Sequence, residues 1–221
     1  MLEPWRRHDL LQVHPEAWGE ILREQPHLRD APHLAEWAAL GRPVMVRRRM
    51  ANDQPERVPV GLPLPPLDGK LRIALQVRPE AIRERVGPHA LRTTRDAVPS
   101  SWKATVDALL AAAEQASVEP CLFGSLLWQQ LTGLPYLSAT SDLDLLWLVS
   151  DPASAAWIAG RIAAIEATSP VRLDGEFILR DGGGANWREL HGGAAEVLVK
   201  TLHRVEIRPA AELFRAKGLA V

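Results

Sequence analysis

The sequence predicts an α/β (α+β) protein with a small β-rich N-terminal domain, residues 1–95, followed by a domain, residues 96–221, in which helices flank a mixed sheet. Two observations support this fold class. Short apolar runs separated by proline-rich turns dominate the first half, whereas helical and strand-like segments alternate in the second. With 221 residues, of which 47% are hydrophobic, the chain is long enough to bury a sizeable core. The domain boundary is expected near Gly87-Pro88 or within residues 96–100.

In the first half, strands are expected over residues 43–49 and 71–77, the second because Leu, Ile, Leu and Val alternate along one face. The proline-rich segment 61–66 between them is expected not to continue a central strand. Pro79 is well placed in the first turn of a short helix over residues 80–86. This half is therefore predicted to consist mainly of strands and turns.

The second half alternates helices and strands. The predicted helices cover residues 100–116, 126–131, 151–167 and 210–216. The predicted strands cover residues 120–123, 142–149, 171–179, 196–201 and 203–207. Three glycines at 182–184 are expected to turn the chain into a further strand over residues 185–190, as a hairpin.

Residue usage excludes several classes of protein. Cys121 is the only cysteine, so the chain forms no internal disulfide and no thiolate metal cage. The first residues lack the apolar stretch of a signal peptide, and no uncharged apolar run approaches the length of a transmembrane helix. We therefore expect a soluble cytoplasmic protein that acts on neither a membrane nor a nucleic acid.

Positive charge is concentrated in residues 42–95. This segment carries twelve Lys/Arg and five Asp/Glu, in a protein whose formal net charge is -1. The local excess favours a polyanionic ligand bound by the first half, and a solvated basic surface explains it equally well.

The residues that carry chemistry lie between positions 121 and 149. An apolar run ends at Gly124-Ser125, which opens a helix, and Asp142-Leu143-Asp144 follows seventeen positions after Ser125 at the start of a strand. Alternate side chains of a strand project from one face, so Asp142 and Asp144 point the same way. Two adjacent carboxylates repel each other unless a cation lies between them, which suits Mg²⁺. The glycine and the free N–H groups at the helix start suit a phosphate.

A third acid is expected from a later strand, where Asp174 and Glu176 share one face. Either could complete the metal site or act as a base on an incoming hydroxyl, and the shorter Asp174 is slightly favoured. Purely structural explanations exist for each piece. Asp-x-Asp at a strand start is common in turns and caps, and Asp174 and Glu176 could form the solvent face of an edge hairpin. The ordered combination of all the pieces nevertheless favours metal-dependent phosphoryl chemistry.

This order of motifs resembles the nucleotidyltransferase superfamily of DNA polymerase β type over about residues 100–180. The resemblance implies a nucleotidyltransferase-like fold for the second domain. It also implies that Gly124 and Ser125 hold a triphosphate while three acids bind Mg²⁺. Leu145 stands where many members place another acid directly after the second aspartate, at a position that varies across the superfamily.

Longer strings are similar to the phosphoribosyl-dephospho-CoA transferases of malonate decarboxylase. They cover residues 123–136, 141–147, 174–176, 186–190 and 197–201, together with 7–11, 61–65 and Gly69-Lys70 in the first half. The resemblance spans nearly the whole chain, and its central strings are specific.

This family resemblance implies a definite reaction. A serine hydroxyl of the acyl-carrier subunit of malonate decarboxylase attacks the α-phosphate of 2'-(5''-triphosphoribosyl)-3'-dephospho-CoA, and pyrophosphate leaves. On the resemblance, Asp142 and Asp144 would be Mg²⁺ ligands, and Asp174 is the favoured third ligand, with Glu176 as the alternative. Other expected phosphate contacts are Lys200, for which a surface lysine is an equal alternative, and Lys70 and Arg72 in the basic segment.

Two further hypotheses remain open on the sequence alone. A nucleotidyltransferase could modify a small molecule or a protein with ordinary ATP. A non-catalytic module could instead dock on an acyl-carrier protein, although the presence of both Asp142 and Asp144 counts against that. The leading hypothesis also leaves two carrier proteins open, because the carrier of citrate lyase bears the same prosthetic group as that of malonate decarboxylase.

Overall fold

The computed structural model describes residues 5–215, and the chain divides into two compact units. Among these residues, unit 1 contains 5–88 and 127–139, and unit 2 contains 89–126 and 140–215. Each unit has its own sheet accompanied by helices, which confirms the α/β (α+β) class. Among the helices of the described residues, none is long and apolar enough to cross a lipid bilayer.

Unit 1 is built on a five-stranded antiparallel sheet. Its strands are β1 (Leu10–Val13), β2 (Val44–Val46), β3 (Val58–Pro63), β4 (Arg72–Val77) and β5 (Ile82–Val86), in the spatial order β4-β3-β2-β1-β5. Helix α1 (Pro15–Arg23) begins at a proline and buries Trp18 and Ile21. The strands expected over residues 43–49 and 71–77 are confirmed as β2 and β4, and β1 and α1 are additions to the prediction.

The expectation for the proline-rich segment 61–66 is wrong, because its first three residues belong to β3, a central strand. The prolines of β3 cause no loss of pairing with β2, since β2 pairs only with Val60 and Gly61. Gly61 also allows a close approach of β4. An added Cβ at this position would lie 2.8 Å from the carbonyl oxygen of Ile73.

The helix expected over residues 80–86 is also wrong. A 3-10 turn over Pro79–Ala81 leads directly into β5, which pairs with β1 at the edge of the sheet. Pairing with β1, together with the β-branched Ile82 and Val86, outweighs the local helical signal of the proline. The three charged residues between them are exposed, as expected for an edge strand.

The segment 127–139 joins unit 1 through its aromatic side chains. The ring centroids of Trp128 and Trp37 are 6.1 Å apart, and the hydroxyl of Tyr136 donates to the carbonyl oxygen of Pro63 at 2.8 Å. All three aromatic side chains are buried. Burial of such large apolar surfaces contributes strongly to the stability of a small unit.

Unit 2 is built on a six-stranded mixed sheet. The strands are β6 (Pro120–Leu122), β7 (Leu143–Leu148), β8 (Leu173–Ile178), β9 (Gly184–Asn186), β10 (Glu196–Lys200) and β11 (Val205–Pro209), in the spatial order β11-β10-β9-β8-β7-β6. Neighbouring strands pair antiparallel, except that β7 and β8 are parallel. A parallel pair needs a crossover connection, which here contains a long helix.

Helices complete unit 2. They are α2 (Lys103–Gln115), the start of α3 (Gly124–Thr132), the crossover helix α4 (Pro152–Glu166) and α5 (Trp187–His191). α4 and α5 pack against each other and against β8, and α2 packs against α4. Leu143, Leu145 and Trp147 alternate as buried residues along β7, so the intervening Asp144 projects from the opposite face.

The strand expected over residues 185–190 is wrong beyond Asn186. The Asn186 side chain accepts the backbone N–H of Arg188 at 2.9 Å and caps α5, so the chain turns into a helix. Near the C-terminus a 3-10 turn covers Ala210–Glu212, where a helix over residues 210–216 is expected; Ala216 lies outside the described residues. The other predicted helices and strands of unit 2 are confirmed, with ends shifted by two residues at most in most cases.

Candidate active site

The acids of the sequence motif meet on β7 and β8. In the parallel register Asp144 lies opposite Asp174, and Leu146 lies opposite Glu176. Asp142 stands two positions before Asp144, directly before β7 begins. Paired residues of neighbouring strands project from the same face of a sheet. Three aspartates from two distant parts of the chain therefore share one surface of unit 2.

The Gly-Ser turn is built against Asp144. Gly124 has a left-handed backbone with φ +69°, and a Cβ added there would overlap the Asp144 carboxylate and lie 2.8 Å from the Cβ of Asp144. The backbone N–H of Ser125 donates a hydrogen bond to the same carboxylate. Phe123 donates its N–H to the backbone oxygen of Asp144 at 3.2 Å. Glycine is thus required at position 124 for two independent reasons, its φ angle and the space it leaves.

The surroundings of Asp144 disfavour a negative charge. Burial is the largest cause, followed by the charges of Asp174 and Asp142, and the pKa of Asp144 is raised to about 7. The hydrogen bond from Ser125 acts in the opposite direction. A bound cation would favour the ionised carboxylates, because opposite charges stabilise each other at short range.

The other two aspartates have polar partners that the sequence did not single out. Arg172 donates to Asp142 from Nη1 at 3.0 Å. Asn186 donates to Oδ1 of Asp174 from Nδ2 at 3.3 Å. Arg172 precedes Asp174 by two positions, so strand periodicity could have placed both on one face. No local signal could have indicated Asn186, because its contact depends on the pairing of β9 with β8.

Glu176 differs from the three aspartates because its side chain is buried, and a lysine compensates its charge. The residue is only 5% exposed, and Lys200 donates to its Oε1 from Nζ at 3.0 Å. Because β8 lies between β7 and β9, the alternative of a solvent-facing edge hairpin is wrong for Asp174 and Glu176. The Lys200 side chain is 41% exposed, so a phosphate contact remains a prediction for it.

The basic segment lies largely in unit 1, and ion pairs compensate much of its charge. The pairs are Arg47 with Asp53, Arg57 with Glu24, Arg78 with Glu20, Arg83 with Glu84 and Arg85 with Asp9. Lys70 and Arg72 are exposed near the start of β4. They belong to unit 1, whereas the acids, Gly124, Ser125 and Lys200 belong to unit 2. The donor-phosphate role of Lys70 and Arg72 stays a prediction.

The donor set fits Mg²⁺ better than it fits a softer metal. Within residues 5–215, no group of three or more His, Cys, Asp or Glu side chains is placed so that it could hold a metal ion by itself. Mg²⁺ needs none, since it commonly binds through one or two carboxylates and completes its shell with water and substrate phosphates. Burial raises the pKa of Asp144 most, the charges of Asp174 and Asp142 raise it further, and such an ion would relieve this repulsion. The carboxylates present therefore fit the ion.

Comparison with known proteins covers both units. The C-terminal domain of phosphoribosyl-dephospho-CoA transferase MdcG matches residues 90–211, and the N-terminal domain of the same family matches residues 6–88. The candidate acids, Gly124 and Ser125 all lie within the first of these matches. No solved structure matches the chain.

Curated relatives extend over nearly the whole chain. A phosphoribosyl-dephospho-CoA transferase of Bradyrhizobium diazoefficiens is 41% identical over 202 residues, which cover 91% of this chain and 89% of that protein. One of Xanthomonas campestris pv. campestris is 38% identical, with 94% and 96% covered. One of Pseudomonas putida is 34% identical, with 90% of each covered. Given both domain matches and this degree of identity, the chain belongs to the phosphoribosyl-dephospho-CoA transferase family of enzymes.

Proposed function

We propose that this protein transfers the phosphoribosyl-dephospho-CoA group of 2'-(5''-triphosphoribosyl)-3'-dephospho-CoA to a serine of the apo acyl-carrier subunit of malonate decarboxylase, with release of pyrophosphate. The relatives' name supports the transferred group. The observation that carries the chemistry is the packing of Asp144 between Asp174, on the neighbouring strand, and the Gly124-Ser125 turn. This is an arrangement that places carboxylates next to a phosphate-binding turn.

The roles of the residues follow from their surroundings. Asp142, Asp144 and Asp174 would hold Mg²⁺. When bound, this ion would neutralise the charge that develops on the leaving pyrophosphate. Gly124 brings the turn close to Asp144, and the N–H groups at the start of α3 are suited to phosphate oxygens of the donor. Glu176, which accepts a hydrogen bond from Lys200, contributes a buried and compensated charge on the same face of the sheet as Asp174.

The direct test is the intact mass of the carrier subunit. The protein is incubated with Mg²⁺, the triphosphoribosyl donor and the apo carrier, and the carrier should gain the mass of one phosphoribosyl-dephospho-CoA group. ATP in place of the donor, and the citrate lyase carrier in place of the malonate decarboxylase carrier, form the comparison arms. No mass gain with the proposed pair, together with efficient use of ATP on another acceptor, contradicts the proposal.

Asp174 is expected to matter more than Glu176. Asp174→Asn should lower kcat about 100-fold or more, because the residue lies opposite Asp144 and, among the described residues, no cationic side chain donates a hydrogen bond to its carboxylate. Glu176→Gln should lose about tenfold at most, since glutamine still accepts the hydrogen bond of Lys200. Transfer rates of both variants, with circular dichroism as a check on the fold, give the answer. A larger loss in Glu176→Gln would move the third-acid role to Glu176.

A further inference from the structure

Asn186 makes two hydrogen bonds that together fix the orientation of its side-chain amide. Its Oδ1 accepts the N–H of Arg188 at 2.9 Å, and its Nδ2 donates to Oδ1 of Asp174 at 3.3 Å. The orientation of an amide is often ambiguous, because its oxygen and nitrogen are nearly alike in size. Here the backbone donor at the start of α5 requires the oxygen on that side. The NH₂ group is therefore directed to the carboxylate of Asp174.

The segments that carry Asn186 and Asp174 are held together at a second point. Glu166 accepts the backbone N–H of Leu173 at 2.8 Å, and Arg188 donates to the backbone oxygen of Leu173 at 2.8 Å. Arg188 also binds Glu166 through both terminal nitrogens, one of them at 2.7 Å from Oε2. The hydrogen bonds from Arg188 lower the pKa of Glu166. The two side chains together bind both backbone polar groups of Leu173, the residue directly before Asp174. The cap of α5 and the start of β8 are thus fixed relative to each other.

The chemistry of the donor on Asp174 is what gives this contact a functional meaning. The cationic partner that Lys200 gives Glu176 compensates the charge of that buried carboxylate. A neutral amide orients the carboxylate and leaves its charge intact. Within residues 5–215, the donors to Asp174 are Asn186 and the N–H of Gly175, and both bind Oδ1. The second oxygen, Oδ2, keeps its lone pairs for a cation.

We infer that Asn186 is a positioning residue that orients Asp174 for a divalent metal ion, with the Glu166–Arg188 pair as its anchor. The inference rests on the proposed function, because it assigns Asp174 to the metal. It predicts that loss of the amide weakens metal binding and transfer while the fold is retained. Partners that orient metal-binding side chains typically change metal affinity or activity about 10–100-fold when they are removed.

Three substitutions separate the two hydrogen bonds of Asn186. Asn186→Ser keeps an oxygen that can cap α5 and loses the amide donor. Asn186→Asp also keeps a cap and places a negative charge beside Asp174. Asn186→Ala loses both contacts. The readouts are Mn²⁺ binding followed by electron paramagnetic resonance, the Mg²⁺ concentration for half-maximal transfer, and the melting temperature Tm.

Asn186→Ser should keep a Tm near that of the wild type, bind Mn²⁺ about tenfold more weakly and need correspondingly more Mg²⁺. Asn186→Asp should differ in its metal affinity from Asn186→Ser, and Asn186→Ala should show the largest fall in Tm. In an Asp174→Asn background, Asn186→Ser should cause no further loss of transfer, because the group that it orients is already altered. A purely structural residue would lower Tm and add its loss to that of Asp174→Asn.

The outcomes separate the inference from the proposed function. Wild-type metal affinity and wild-type transfer in Asn186→Ser would overturn the positioning role and leave the proposed function standing. Failure of the wild-type protein to modify the carrier, with Mn²⁺ binding that still depends on Asn186, would overturn the proposed function alone. Wild-type protein that binds no Mn²⁺, with or without pyrophosphate, would overturn the inference.

Discussion

Asp144→Asn is expected to abolish transfer and to make the metal-free protein more stable at pH 8. The substitution removes a central carboxylate of the candidate metal site, where several kcal/mol of transition-state stabilisation are at stake, so kcat should fall about a thousandfold or more. It also removes a negative charge that lies largely buried beside Asp174 and Asp142. The free energy of unfolding at pH 8 should therefore rise by about 1–2 kcal/mol in the absence of divalent ions.

The pH dependence of this difference has a definite sign. Because the pKa of Asp144 is raised from 3.8 to about 7 in the folded protein, the native state favours the protonated form. Stability from this group is fully present below pH 3.8 and is lost as the pH rises through 7. The free energy of unfolding of the variant should thus be close to that of the wild type near pH 4 and larger than it at pH 8. Added Mg²⁺ should narrow the gap, since an ion that binds only the native wild-type protein stabilises it.

Urea unfolding at pH 4 and pH 8, with and without Mg²⁺, measures these differences. Asp96→Asn is the matched control, because the Asp96 side chain is 94% exposed in the same unit and should change neither stability nor transfer. Substantial transfer by Asp144→Asn, or a less stable variant at pH 8, would contradict the assignment of Asp144.

Gly124→Ala is expected to lose at least about 100-fold in transfer and about 2–3 kcal/mol in stability. A left-handed backbone costs an L residue about 1–2 kcal/mol, and the new methyl group overlaps the Asp144 carboxylate. Either the turn opens or Asp144 moves, and both disturb the proposed phosphate- and metal-binding groups at once. Misplacement of a reacting group by about 1 Å can cost about 100-fold in rate.

Gly193→Ala isolates the contribution of the backbone. Gly193 has φ +70°, nearly the same as the +69° of Gly124, but nothing lies within 4 Å of the position that a Cβ would take there. Its substitution should cost only the backbone strain, about 1 kcal/mol, and leave transfer unchanged. Equal losses of stability in the two variants, with transfer retained in Gly124→Ala, would show that Asp144 does not pack on the turn as described.

The local part of the site could be predicted from the sequence, and the pairing between strands could not. The spacing of Asp142 and Asp144 follows from the two-residue period of a strand, and the turn at Gly124 follows from a glycine between an apolar run and a helix. That Asp174, and not Glu176, lies opposite Asp144 depends on the register of β7 and β8. A one-residue shift changes that pairing, and no short stretch of sequence encodes it.

The wrong predictions have the same origin. Residues 80–86 contain a helical start signal, yet pairing with β1 makes them a strand. The prolines of β3 argue against a central strand. The strand is nevertheless central because β2 is short and pairs only with two residues of β3 that are not prolines. Likewise, the return of residues 127–139 to unit 1 depends on contacts of Trp128 and Tyr136 with residues far away in the chain. Local preferences are worth about 1 kcal/mol per residue, which tertiary contacts readily exceed.

The register of the parallel strands β7 and β8 determines both which apolar side chains are buried and where the candidate acids lie. If β8 slipped by one residue, Asp174 and Glu176 would exchange faces of the sheet with Leu173 and Phe177, both of which are nearly fully buried. Gly175 adds a further constraint, because a Cβ there would lie 3.2 Å from the carbonyl carbon of Leu145 and would collide with its oxygen. A single residue inserted inside β8 would therefore disturb the apolar core and the alignment of the carboxylates together.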